Sequence, residues 1–236
     1  MKTLHFTLFL LLTFPIISCS KDQTNSNDNP NADPGTVKKE ECGCTKSNLN
    51  LGTISFLNQN TWQIGNQIWS APVTISYCKK KDYDGGKDGA YKADGCENIS
   101  DNYAQLFSWC LIRQYEEEIS INGWRIPTQT DFEELYASLG GVHGPQTLDQ
   151  YKATLRQFTN FWGINYSGSF WFRQGDTEPT EQGEFVVYWC KDEADSRSGK
   201  AMSISNGTGF GVLGVDTKQD WYKENGACLR LVKVKQ

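Results

Sequence analysis

The chain has 236 residues, 38% apolar and 13% aromatic, enough to bury a core and to exclude a wholly disordered polymer. Eight tryptophans, ten tyrosines and twelve phenylalanines against two methionines favour a β-rich fold with stiff aromatic packing over a helical bundle. The net charge of -5, with nothing basic concentrated enough to neutralise phosphates, argues against nucleic-acid partners.

Met1-Lys2 and the apolar run Leu4 to Ile17 have the charged start and short hydrophobic core of an export signal, too short to span a membrane comfortably. Ile16-Ile17-Ser18-Cys19 resembles the lipobox of bacterial lipoproteins. That resemblance implies cleavage before Cys19, a diacylglycerol on its thiol and residues 1–18 as signal peptide. Ser20-Lys21-Asp22 looks like the start of many Bacteroidota lipoproteins, which implies an outer-membrane anchor displayed on the cell surface, with a periplasmic face as the alternative. From Ser20 to about Lys46 the composition is Asn, Asp, Ser, Lys and Pro without aromatics, so residues 19–50 are expected to form a lipidated flexible tether.

Once Cys19 is set aside, Cys42, Cys44, Cys78, Cys96, Cys110, Cys190 and Cys228 remain, and export makes disulfides the default. Cys78 and Cys96 bracket the glycine-rich loop Lys79 to Gly95; bridging them would stabilise the fold by about 3 kcal/mol on the chain-entropy argument. Cys42-Gly43-Cys44 is one residue short of a zinc or redox spacing, and His143 is the only histidine beyond the signal. No metal and no cofactor are expected. The odd count leaves one thiol free, or bonded to another chain, or the pairing scheme wrong.

Along the domain, residues 51–236, Thr61 to Ser76 reads as two strands around the turn pair Gly65-Asn66. Ser100 to Arg113 has a helical period with Ser100 or Asp101 placed to cap it. Gly123 to Pro127 is a short strand, and Thr128 or Thr130 caps a helix from Asp131 to Leu139 that ends at Gly140-Gly141. Leu148 to Phe161 is a third helix with Tyr151, Leu155, Phe158 and Phe161 on one side. Strands follow at Ser169 to Arg173, Glu184 to Cys190, Ala201 to Ser205, Gly209 to Val215 and Ala227 to Val234. Helices between strand-rich ends predict an α+β domain whose N- and C-terminal strands pair.

Several of these segments, in order, resemble the Fibrobacter succinogenes major paralogous domain, a family of secreted bacterial modules related in fold to C-type lectins. They are Ile64 to Trp69, Cys78 and Cys96 around an aspartate-rich loop, Tyr103 to Trp109, Gly123 to Thr128 running to Leu139-Gly140-Gly141, Asn165 to Gly168, Tyr188-Trp189 and Leu229 to Lys233. The resemblance covers roughly Leu51 to Gln236. It implies a C-type lectin-like fold: paired terminal strands, two to three helices and a second small antiparallel sheet with long loops. It also implies the Cys78–Cys96 bridge and, shifted from the family's positions, a bridge from Cys110 to Cys228. Cys190 then pairs with Cys42 or Cys44, or stays free.

The chemistry is weighed residue by residue. Glu178-Pro179-Thr180 and Glu184 supply too few oxygen ligands for the calcium of a sugar-binding lectin. Asp82 to Gly89 lacks the glutamate an EF-hand loop needs at its twelfth position. Trp171, Arg173, Trp221 and Tyr222 are candidates for an aromatic ligand-binding face, with Trp221-Tyr222 placed in a loop, whereas Trp189 is assigned to the core. His143 has no nucleophile motif around it, so no catalytic residue is expected. These readings together predict a non-catalytic, lipid-anchored envelope module that binds a glycan or a protein. A subunit or tip of a surface appendage is the first alternative; an enzyme resembling the formylglycine-generating enzymes, using Cys190 and Cys228, is the second.

Overall fold

The computed structural model describes residues 50–76, 96–97, 104–169, 180–207 and 213–235. The chain divides into Met1–Lys39 and Glu40–Gln236, and every described residue belongs to the second unit. That unit is α+β, with four small antiparallel sheets and four α-helices among the described residues.

The first strands are β1 (Ile54–Phe56), β2 (Thr61–Ile64), β3 (Gln67–Ser70) and β4 (Val73–Ile75). β2 and β3 form the expected hairpin, closed at Ile64 opposite Gln67. Gly65 takes φ 58 at the first turn position, a conformation that costs an L side chain and suits glycine. β4 turns back on β1.

β5 (Cys96–Glu97) pairs with β6 (Leu106–Phe107), and α1 (Trp109–Gln114) follows, then α2 (Glu116–Ile119). The helix expected from Ser100 therefore starts nine residues later, at Trp109. Phe107 exchanges two backbone hydrogen bonds with Ala227, which holds residues 106–107 extended, and the Ser108 hydroxyl accepts from the Leu111 N–H to cap the helix. A cap of this kind is worth about 1 kcal/mol, so Ser108→Ala is expected to lower the thermal midpoint by roughly 2–4 °C in calorimetry. An unchanged midpoint would remove Ser108 from that role.

α3 (Gln129–Ser138) is capped by Thr128 in a full capping box with Asp131, the first of the two caps the sequence offered. α4 (Leu148–Gln157) is capped by Thr147 and runs into a π-helical turn, Phe158–Trp162, that ends on left-handed Gly163. The π turn corrects the predicted apolar stripe. A wider turn sets residue 162, not 161, beneath Phe158, so Trp162 is fully buried while Phe161 is 56% exposed.

β7 (Phe185–Glu193), β8 (Ser198–Asn206) and β9 (Leu213–Tyr222) form a three-stranded sheet in that order. Its alternation separates two cores. Phe185, Val187 and Trp189 join one apolar cluster with Trp109 and Leu111; Val186, Tyr188 and Cys190 join another with Trp69, Phe132 and Trp162.

The seam between the clusters is Ala227 to Val232, where no residue is more than 1% exposed. Ala227, Leu229 and Leu231 face the first cluster, Cys228 and Val232 the second. This segment bonds to β6, β7, β4, β3 and Arg125, then ends as β10 (Val232–Val234) paired with β3. The C-terminal strand thus joins the N-terminal hairpin, as the strand-rich ends predicted.

Candidate binding cleft

Of the residues singled out in the sequence, Cys19, Cys78, Trp171 and Arg173 lie outside the described residues, as do Cys42, Cys44 and the loops Asp82 to Gly89 and Glu178-Pro179. The backbone of Cys96 lies in β5.

Cys110 is disulfide-bonded, but not to Cys228, because Cys228 and Cys190 are both free and buried. The bridge expected between Cys110 and Cys228 is overturned. Cys110, on α1, lies in the first apolar cluster, whereas the alternation of the Ala227–Val232 seam turns the Cys228 thiol into the second. Burial pushes each of the thiols at 190 and 228 up to about 12, so neither forms a thiolate near neutral pH. Iodoacetamide is expected to leave both unlabelled in the native protein and to label both after unfolding without reductant. Either residue appearing in a disulfide-linked peptide by mass mapping would contradict the assignment.

Trp221 and Tyr222 are strand residues at the end of β9, not loop residues. Pleating turns Trp221 inward at 4% exposure, where its ring lies 6.2 Å from that of Phe185, and leaves Tyr222 39% exposed. The pair therefore does not form one aromatic face. Trp189, assigned to the core, is fully buried and donates its indole N–H to the Phe107 carbonyl.

A cleft of about 850 Å³ lies where β8, β9 and the start of β7 meet the connection between α3 and α4. Tyr151 and His143 wall it on the helical side, with Phe185 and Trp221 contributing from the sheet. Tyr151 can lie against β9 because position 214 is glycine; a Cβ there would sit 3.1 Å from the ring. His143 stands 5.4 Å from the ring of Tyr136, whose hydroxyl accepts from Gln146 and donates to the Val142 carbonyl. These contacts tie the connection, Gly141 to Gln146, to α3.

Three hydroxyls, on Ser203, Ser205 and Thr217, also line the cleft, each residue 5–8% exposed. Ser203 and Ser205 are two apart on β8 and share a face; the Ser205 hydroxyl accepts from the Gly207 N–H. Among the described residues the charged pair in the lining is Asp216 and Lys218, and the Lys218 ammonium sits 3.5 Å from the Glu133 carboxylate. Among the described residues no group of three His, Cys, Asp or Glu side chains is placed to hold a metal ion.

Apart from Trp221, the sequence reading did not reach this cleft as a binding site. Its signal was the alternation of Met202 and Ile204 with Ser203 and Ser205, which marks a strand with one apolar and one hydroxyl-bearing face. The chain matches no protein-family model, no curated protein and no solved structure.

Proposed function

We propose that the chain is a C-type lectin-like, lipid-anchored binding module of the bacterial cell envelope, held at the outer membrane through Cys19 and recognising a glycan or protein without transforming it. The observation that carries this reading is the cleft at β9. Its volume falls in the range of ordinary ligand sites, and its lining combines aromatic rings with a few placed polar groups, the composition by which such sites fix a ligand. The pairing of β10 with β3 supports the lectin-like architecture that the family resemblance implies. Protonated, buried thiols at Cys190 and Cys228 favour binding over the chemistry of a paired-cysteine enzyme.

The full chain carrying Cys19→Ser, which removes the acylation site, is expected to bind bacterial envelope fragments saturably. Tyr151→Ala is expected to weaken that binding at least tenfold with an unchanged circular dichroism spectrum. Absence of saturable binding, or full binding by the variant, would sink the assignment of the cleft.

A further inference from the structure

We infer that the outer edge of β9 takes an extended, basic segment of another polypeptide, added as a fourth strand to the sheet of β7, β8 and β9. The inference rests on the binding-module reading and names its ligand class.

β9 bonds to β8 on one side, and no described residue pairs with its other side. The opposite edge of the sheet is closed, because β7 bridges to Gly168 and Cys228. The cleft follows the open edge. Residues 214–219 and 221 line it, and residues 219–222 line an adjoining cavity of about 440 Å³ that shares Gln219 and Trp221 with it. Side chains of a strand alternate between two faces, so consecutive residues border one groove only where it runs along the backbone edge. At about 3.3 Å per residue the groove extends for about 30 Å, room for a strand of similar length.

Main-chain groups on this edge are met by side chains of β9 itself. The Lys218 N–H donates to the Asp216 carboxylate at 2.8 Å, and the Asp220 carbonyl accepts from the Gln219 side-chain amide at 3.1 Å. Positions 218 and 220 are two apart and share one direction of the ladder. Both bonds lie at the exposed surface, where a neighbouring strand takes them over, the mode by which sheet edges recruit extended peptides.

Charge and exposed apolar surface define the segment. The groove sets the carboxylates of Asp195, Asp216 and Asp220 against Arg197 and Lys218, and Lys218 is already held by Glu133. Asp216 is exposed and makes no ion pair with a described residue. With a net charge of -5 on the chain, this edge steers a segment that carries lysine or arginine. Val142, Leu148 and Tyr222 also line the groove, three exposed apolar side chains for the segment's own apolar residues to cover.

The test uses the full Cys19→Ser chain and a fluorescent nine-residue peptide alternating valine and lysine. Saturable binding is expected, weakened about tenfold or more when glutamates replace the lysines, and likewise when the peptide is N-methylated throughout, which keeps its side chains and removes its N–H donors. Lys218→Pro removes the N–H at a position where an edge strand accepts proline, and is expected to bind about tenfold more weakly than Lys218→Ala. No peptide binding, or equal binding of the glutamate or N-methylated peptide, would overturn the inference. Saturable binding of envelope fragments in that case would leave the binding-module reading in place; binding of neither would remove both. Should Lys218→Pro lower the thermal midpoint, the N-methylated peptide, which leaves the protein unchanged, decides. A chain that sediments as a dimer and becomes a monomer in Lys218→Pro would assign the edge to a second copy instead.

Discussion

Arg230→Ala is expected to destabilise the protein by about 3–5 kcal/mol, roughly 10 °C or more in the thermal midpoint, the largest loss expected of any single change outside the aromatic core. Arg230 is 1% exposed and has no carboxylate partner among the described residues. Its guanidinium donates to the carbonyls of Trp162 at 2.7 Å and Gly163 at 2.5 Å, the last acceptors of the long helical run through α4 and the π turn. Those carbonyls form the negative end of the helix dipole, so the cation stands where a positive charge is favoured. It is also enclosed by π faces, 4.2 Å from the Trp162 ring, 4.8 Å from Trp62 and 5.5 Å from Tyr188.

Burial pulls the guanidinium's affinity for its proton down, with Tyr188 and Cys228 opposing, yet an arginine stays charged at any ordinary pH. Removing it empties the cage and strips two buried carbonyls of their donor. Arg230→Lys keeps the charge but loses the planar fork and the stacking, so a smaller loss of about 2 kcal/mol is expected. Urea or thermal unfolding checks both. A midpoint within 2 °C of the parent for Arg230→Ala would show that the cage contributes nothing.

Asp131→Asn is expected to cost about 2–3 kcal/mol at pH 7, and the difference from the parent is expected to vanish in acid. Asp131, 6% exposed in the first turn of α3, accepts a bidentate pair from Arg125 at 2.6 and 2.7 Å, the N–H and hydroxyl of Thr128, and the amide of Gln67. One carboxylate therefore joins a helix cap, the strand-like segment at Arg125 and β3. Burial works to raise its pKa, but the hydrogen bonds from Arg125 and Thr128 outweigh burial and hold the carboxyl below the ordinary 3.8.

The folded form thus binds the Asp131 proton less readily than the unfolded chain. Its contribution is complete above the unfolded value near 3.8 and is lost as pH falls through the lower folded value. Unfolding curves from pH 7 to pH 2 test this. Parent and Asp131→Asn should differ most at neutral pH and converge at the acid end; a constant gap would mean that the carboxylate's charge is not what the network uses.

Much of the framework was legible in the linear chain because it depends on local preference. The Gly65-Asn66 turn, the Thr128 capping box, the start of α4 at Leu148 and the alternating runs of β7 and β8 each follow from a few adjacent residues. Local rules misplaced what distant partners control. Leu106 and Phe107 fit a helical period, but pairing with Cys96 and Ala227 draws them into a strand. Trp221-Tyr222 borders a polar stretch and resembles a loop, yet register with Gly199 and Ser198 keeps both residues in β9.

The sequence by itself determined the composition of the two cores, the helix caps and the turn at Gly65, because side-chain size, polarity and φ preference act over a few bonds. Only the tertiary structure decided that Cys228 is free, that Arg230 closes a helix 67 residues away and that three hydroxyls meet at one cleft. Each of those outcomes depends on which faces of separate elements come to lie together, and strand pairing and core packing set that between residues the sequence keeps far apart.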